Sequence, residues 1–256
     1  MTETPLAVHL AAGEGSRLRP LTADKPKPLV ELAGESMLER NVETLSAVGV
    51  TDQVVVTGYE ADQIEALGYE TVHNPIYDET DMVYSLFQAR EQFTGEQDLL
   101  ISYGDIVYTE GIVEALLACD APVCVVVDRE WRDLWKLRFE DPLEDAETLR
   151  MDDEGRITEI GSEPSGYEEI KGQYIGLISV RRDYVEAFGE YYDELSGGGE
   201  GLERSSVEMT HFIQHLIDEG WRVLGGPVGG GGVEVDTLED LEQYRERFVE
   251  GGSLEL

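Results

Sequence analysis

Positive charge is what this sequence has least of. Its 256 residues carry 19 lysines and arginines against 55 aspartates and glutamates, a formal net charge of −36. The lysines are only Lys25, Lys27, Lys136 and Lys171. A nucleic-acid partner is excluded on that ground, because a phosphate backbone needs a basic surface. Cysteine is almost as scarce. Cys119 and Cys124, the two present, are too few and too close for a disulfide framework or a zinc site, and they read as buried apolar thiols. Long hydrophobic runs are missing too. A stretch such as Ala121 to Val127, with a proline inside it, is far too short to span a bilayer. The N-terminus lacks a basic flank and a cleavage pattern. A cytoplasmic protein without a membrane partner is expected.

Histidine offers no metal site. Of His9, His73, His211 and His215, only the last two are four apart on a predicted helix, and no Glu follows His211, so the HExxH pattern is absent. The acids form no run long enough for a disordered tail. Acid spread along the chain, few lysines and an ordinary 41% of hydrophobic residues resemble proteins of salt-accumulating halophiles, where salt screens self-repulsion.

What is present is the rhythm of an α/β protein. Leu6 to Ala11 predicts a buried first strand and Ser36 to Val48 an amphipathic helix. Further strands are expected over 54–57, 70–73, 99–102 and 122–127, with helices over 61–67, 83–92 and 111–118. This alternation predicts a mainly parallel sheet with helices on both faces. Beyond Asp128 the pattern changes to short strands over 148–151, 157–160 and 174–180. A helix over 183–195 and a linker-like SGGGEG from Ser196 to Gly201, read as a mobile surface loop, come next. A helix to Asp218, strands near Val223 and over 233–235, and a last helix over 238–248 complete the chain. One domain is expected, with residues 1–128 as a nucleotide-binding half and 129–256 as a mixed half that returns to the same sheet.

The loop after the first strand, LAAGEGSRLRPLTADKPKPL, stands where an α/β sheet presents its ligand. It fails the dinucleotide fingerprint, since residue 18 is Leu rather than Gly, and it lacks the GK[ST] of a Walker loop. Its small residues Ala11, Ala12, Gly13 and Gly15 let backbone N–H groups approach a polyphosphate, with Arg17 and Lys27 as cations. Asp105 and Asp236 each close a predicted strand, so their carboxylates can converge on one hard cation.

The loop resembles the first motif of the sugar-phosphate and choline-phosphate nucleotidyltransferases, LxAAGxGxRLxPLTxxxPKPL, from Leu10 through Leu29. The segment EVDTLEDL, containing Asp236, resembles that family's EIDTPEDL, and NPIYDETDMVYSLFQAR resembles the NPxYxxTNxxxSLxxA of its compact cytidylyltransferase branch. The resemblance implies a single-domain GT-A-like fold. It also implies transfer of a nucleoside monophosphate, CTP being the favoured donor, to a small phosphorylated acceptor with release of pyrophosphate. Leu10, Ala11, Ala12, Gly13, Gly15, Arg17, Lys27, Thr80 and Ser85 are then expected at the nucleotide. Arg17, Lys27, Asp105 and Asp236 are the expected catalytic groups, the two aspartates holding Mg2+.

For the acceptor, Trp131, Trp135, Lys136, Lys171 and Tyr174 are the candidates; aromatic faces with nearby acids suit an ammonium head group. Inositol, sugar or phosphonate acceptors also fit the resemblance. The chain departs from its branch at two places. Asp81 stands where relatives have Asn, and Ser162 and Glu163 stand where relatives have a phosphate-contacting lysine, a role that passes to Lys171 or Lys136. The rival reading is a catalytically silent nucleotide-binding regulator of the same fold. A dehydrogenase is excluded by Leu18 and by Thr57 and Gly58 at the end of the second strand.

Overall fold

The computed structural model describes residues 4–195, 204–250 and 253–256. The expected SGGGEG linker lies outside the described residues. The strands that concern the site are β1 (Leu6–Ala11), β2 (Asp52–Thr57), β3 (Glu70–His73), β4 (Leu99–Tyr103), β5 (Ile106–Tyr108), β6 (Val123–Asp128), β7 (Leu149–Met151), β8 (Ile157–Ile160), β9 (Gln173–Val180), β10 (Val223–Val228) and β11 (Gly232–Glu234). The helices are α1 (Met37–Ala47), α2 (Ala61–Glu65), α3 (Met82–Gln88), α4 (Glu110–Leu117), α5 (Trp131–Arg138), α6 (Arg182–Glu194), α7 (Met209–Asp218) and α8 (Leu238–Phe248).

A seven-stranded sheet runs in the order β10-β6-β9-β4-β1-β2-β3. Only β9 opposes its neighbours, pairing antiparallel with both β4 and β6, so the sheet is mixed and mainly parallel. Every residue of β1 is buried, as expected for a strand covered on both faces. Its side chains alternate between two cores. Val8 packs with residues of α3, α6 and α7, such as Val83, Phe188 and Phe212; Ala7 packs with Leu45 of α1 and Ile112 and Leu116 of α4. His9, wholly buried in the same strand and bonded to Gln53 at 2.8 Å, is pushed down to about 4 by burial. It is therefore a neutral core histidine. Helix α1 begins at a capping box in which Ser36 and Glu39 satisfy each other's backbone amides.

Two local expectations need correction. The helix expected over 83–92 stops at Gln88, and a separate 3-10 turn holds Arg90–Gln92. Cys119 and Cys124 are not free thiols; they form a disulfide. The chain reverses between the end of α4 and the start of β6, leaving the two Cα atoms 6.3 Å apart, a separation that a disulfide can span. Spacing along the sequence did not reveal that reversal.

One short ladder positions the site. Outside the main sheet, β5 pairs antiparallel with β11, Ile106 opposite Glu234. The ladder continues one step further, where the Val235 amide donates to the Asp105 carbonyl at 2.9 Å. Asp105 and Asp236 are 131 residues apart in sequence, and this pairing makes them neighbours.

Candidate active site

The first loop folds back on itself to bury a lysine. Gly15 has φ +65, and a Cβ there would lie 2.6 Å from the Lys27 Cβ, so only glycine both adopts this backbone and leaves room for the lysine stem. The buried Thr22 hydroxyl donates to the Gly15 carbonyl at 2.8 Å and closes the loop. Lys27 opens a 3-10 turn whose next residue is Pro28. Its ammonium donates to Asp105 Oδ2 and to Asp236 Oδ1, each at 2.7 Å. Burial disfavours that charge, but the two carboxylates outweigh burial and raise the lysine above its ordinary range. Gly104 lets the turn bearing Asp105 lie flat on the end of β1, since a Cβ there would sit 2.4 Å from the Leu10 carbonyl oxygen.

Asp236 is the hub. Its Oδ1 accepts from Lys27 and, at 2.9 Å, from Arg17; its Oδ2 accepts from Arg138 at 2.9 Å. Burial favours its neutral form, yet these cations hold it below the usual carboxylate range. Glu234 has the opposite balance. Removal from water, and then the nearness of Asp236 and Asp105, push it up to about 7. Arg138, at the end of α5 and 2% exposed, also bonds Glu234 at 3.2 Å and Asp240 at 3.1 Å. Asp240 in turn accepts from the amides of Asp236 and Thr237.

The donor set suits a hard dication. Asp105, Glu234 and Asp236 each present a carboxylate oxygen, all within 4.8 Å of one another, and Asp105 Oδ1 is buried with no hydrogen-bond partner among the described residues. Oxygen ligands of this kind match magnesium or calcium rather than a soft metal.

Two adjoining cavities meet at this cluster. A smaller one of about 230 Å³ is lined by Leu10, Ala11, Ala12, Gly13, Lys27, Thr80, Asp81, Ser85 and Asp105, among others. A larger one of about 450 Å³ is lined by Arg17, Trp135, Asp145, Glu147, Tyr174, Glu208, Glu234 and Asp236, among others. Asp81, Met82 and Tyr103 line both. Of the residues expected at the nucleotide, Gly15 shapes the loop without lining the smaller cavity, and Arg17 faces the larger one. Of those expected at the acceptor, Trp135 and Tyr174 line the larger cavity. Trp131 is buried edge-on against Trp135, their ring centres 5.8 Å apart, and lines neither. Lys136 pairs with Asp133 at 3.0 Å on the surface. Lys171, Ser162 and Glu163 are exposed, and none of the four lines either cavity.

Sequence reasoning missed Glu234, Arg138 and the acids Asp145, Glu147 and Glu208. Glu234 had a signal, since it precedes Asp236 by two residues in a strand and so shares its face. Arg138 had none. Its partners are 96 to 102 residues away in sequence.

Comparison with known proteins bears on the family and the fold. The model of the MobA-like NTP transferase domain matches residues 7–204. The CTP:phosphoglutamine cytidylyltransferase of Campylobacter jejuni subsp. jejuni is 36% identical over 252 residues, covering 94% of this chain and 99% of that protein. Among solved structures, the CTP:phosphocholine cytidylyltransferase of Streptococcus pneumoniae superposes with a TM-score of 0.73 at 21% identity, over 95% of this chain and 99% of that one. The inositol-1-phosphate CTP transferase of T. maritima gives 0.72 at 21% identity, over 94% of each chain. At that identity the structural likeness speaks for the fold.

Proposed function

The chain belongs to the MobA-like NTP transferase family and is a nucleotidyltransferase, and from that premise we propose that it transfers CMP from CTP to a small phosphorylated acceptor that carries an ammonium group. The observation that carries this reading is the pair of cavities joined at Lys27, Asp105 and Asp236. One suits a nucleotide beside the glycine loop. The other combines Arg17, its single cation among the described residues, with Asp145, Glu147 and Glu208 on its wall.

An acceptor phosphate is already ionised at neutral pH, so its oxygen attacks the α-phosphorus without help from a general base. The new O–P bond forms in line as the bond to the β-phosphate oxygen breaks, and pyrophosphate leaves. Arg17 and Lys27 neutralise the charge on the transferring and leaving groups, fixed in place beforehand by Asp236 and Asp105. A magnesium ion held by Asp105, Asp236 and Glu234 would add Lewis-acid stabilisation of the same charge. At the far end, the acids of the larger cavity meet the acceptor's ammonium, and the faces of Trp135 and Tyr174 add cation–π attraction.

A matrix of nucleoside triphosphates against phosphocholine, phosphoglutamine, inositol 1-phosphate and glucose 1-phosphate, read by pyrophosphate release with magnesium in molar potassium chloride, tests this. Turnover is expected with CTP and the two acceptors that bear an ammonium group. Turnover confined to the inositol and sugar phosphates, which carry no ammonium group, would refute the ammonium reading. Absence of pyrophosphate release with any pair would favour the silent nucleotide-binding alternative.

A further inference from the structure

Two hydroxyls on the wall of the smaller cavity, those of Thr80 and Ser85, are held in a fixed donor and acceptor order by Asn74 behind them. Asn74 is wholly buried just beyond β3. Its Oδ1 accepts from the Ile76 amide at 3.1 Å, which fixes the orientation of the side-chain amide and turns Nδ2 toward the cavity wall. There Nδ2 donates to the hydroxyls of Thr80 and Ser85, each at 3.0 Å. Thr80 in turn donates its only proton to the Ile76 carbonyl at 2.9 Å. Its hydroxyl has no proton left for a ligand. Ser85 accepts from Asn74 but donates to no described residue, so its proton is free for a group inside the cavity.

Next to Ser85 is a free acceptor. Asp81 occupies the N-cap position of α3, where an aspartate usually accepts from the first-turn amides, but its side chain makes no such bond. Its backbone is pinned by donation to the Ser205 carbonyl at 2.8 Å. The carboxylate has no hydrogen bond or ion pair among the described residues, and it lines the cavity with Ser85. Here, at the start of α3, the wall offers the Ser85 hydroxyl as a donor and beside it the Asp81 carboxylate, which when ionised can only accept.

We propose that Asp81 selects the nucleobase, admitting a base whose edge presents an exocyclic amine beside a ring acceptor, as cytosine does, and disfavouring the 4-carbonyl of uracil or thymine. Cytosine donates its amine to Asp81 while its 2-carbonyl, which uracil shares, accepts from Ser85. Held in the same position through its 2-carbonyl, uracil sets its 4-carbonyl oxygen against the carboxylate, leaving both acceptors unpaired and mutually repelled. The inference rests on the smaller cavity being the nucleotide site of the proposed reaction, and it assigns the choice of base to one residue of this chain.

Binding of CTP and UTP, measured by titration calorimetry with magnesium and no acceptor, tests it independently of turnover. The wild type should bind CTP at least about tenfold more tightly than UTP. In Asp81→Asn, whose amide can donate or accept, and in Asp81→Ala, which can do neither, that ratio should fall toward one. Ser85→Ala should weaken both nucleotides and leave the ratio unchanged. A wild type that prefers CTP but keeps its ratio in both Asp81 variants would overturn the inference and leave the CTP reading intact. A wild type that prefers UTP, or binds neither nucleotide, would overturn both.

Discussion

Lys27 shows how one residue is prepared for chemistry by its neighbours. Its stem lies against a glycine that tolerates no side chain, and its ammonium is shared by Asp105 and Asp236 at equal distances of 2.7 Å. A cation fixed in this way needs little reorganisation when charge develops on a phosphoryl group. Lys27→Ala is expected to lower turnover by about a hundredfold or more, the ~3 kcal/mol of one lost charge-stabilising donor. Lys171 makes the contrast. Its side chain is exposed and lines neither cavity, so Lys171→Ala should leave the acceptor KM within about twofold, a change typical of surface substitutions. Steady-state kinetics on both variants, with their thermal melts as a control for folding, decide the matter. A large rise in acceptor KM for Lys171→Ala would restore the role suggested by the absence of a lysine at Ser162 and Glu163.

Among the elements, α5, β11 and α8 meet at one guanidinium. Arg138 ends α5, Glu234 ends β11, Asp236 follows it, and Asp240 lies in the capping box at the start of α8. The arginine thus ties the helix that carries Trp135 to the carboxylates that suit a metal. Removing it strips a charge partner from Glu234, from Asp240 and from Oδ2 of Asp236, at a cost of roughly 3 to 5 kcal/mol. It also leaves Asp236 held at Oδ1 alone. Arg138→Met should therefore lower the melting temperature and raise the half-saturating magnesium concentration by about tenfold or more, as loss of a ligand-orienting partner does. Arg138→Lys, which keeps the charge but not the three-way fork, should recover stability better than magnesium affinity. A variant with unchanged magnesium dependence would reduce Arg138 to a packing residue.

Elements of this kind also mark what could be read from the sequence. The first strand and α1 were legible because a buried parallel strand is a continuous apolar run, and because Ser36 and Glu39 carry their own start signal. The grouping of Lys27, Asp105 and Asp236 was legible through their motifs. Arg138 was not, because an arginine near the end of an amphipathic helix ordinarily faces water. The Cys119–Cys124 disulfide escaped for a related reason. Both depend on where the chain turns back, which no local pattern records.

For the molecule as a whole, the governing quantity is the net charge of −36. The cations nearest the active site are already committed to pairing with Asp236 and its neighbours, so they do little to relieve repulsion elsewhere on the surface. In dilute buffer the compact state holds that excess charge at closer quarters than the unfolded chain does, which destabilises it. Screening shortens the reach of this repulsion from ~10 Å at 0.1 M salt to ~3 Å at 1 M. The exposed ion pairs, such as Arg181 with Asp120 at 3.0 Å, weaken over the same range, but each contributes ~1 kcal/mol at most. Repulsion among the unpaired acids should therefore win. The melting temperature is expected to climb steeply between 0.1 M and 2 M potassium chloride. The rise should be far smaller in sucrose of equal osmolality, which stabilises through exclusion from the surface and screens nothing. Equal gains in salt and sucrose would show that excluded solute, rather than relief of charge, stabilises the fold, and a melting temperature indifferent to salt would show that the acidic surface imposes no cost.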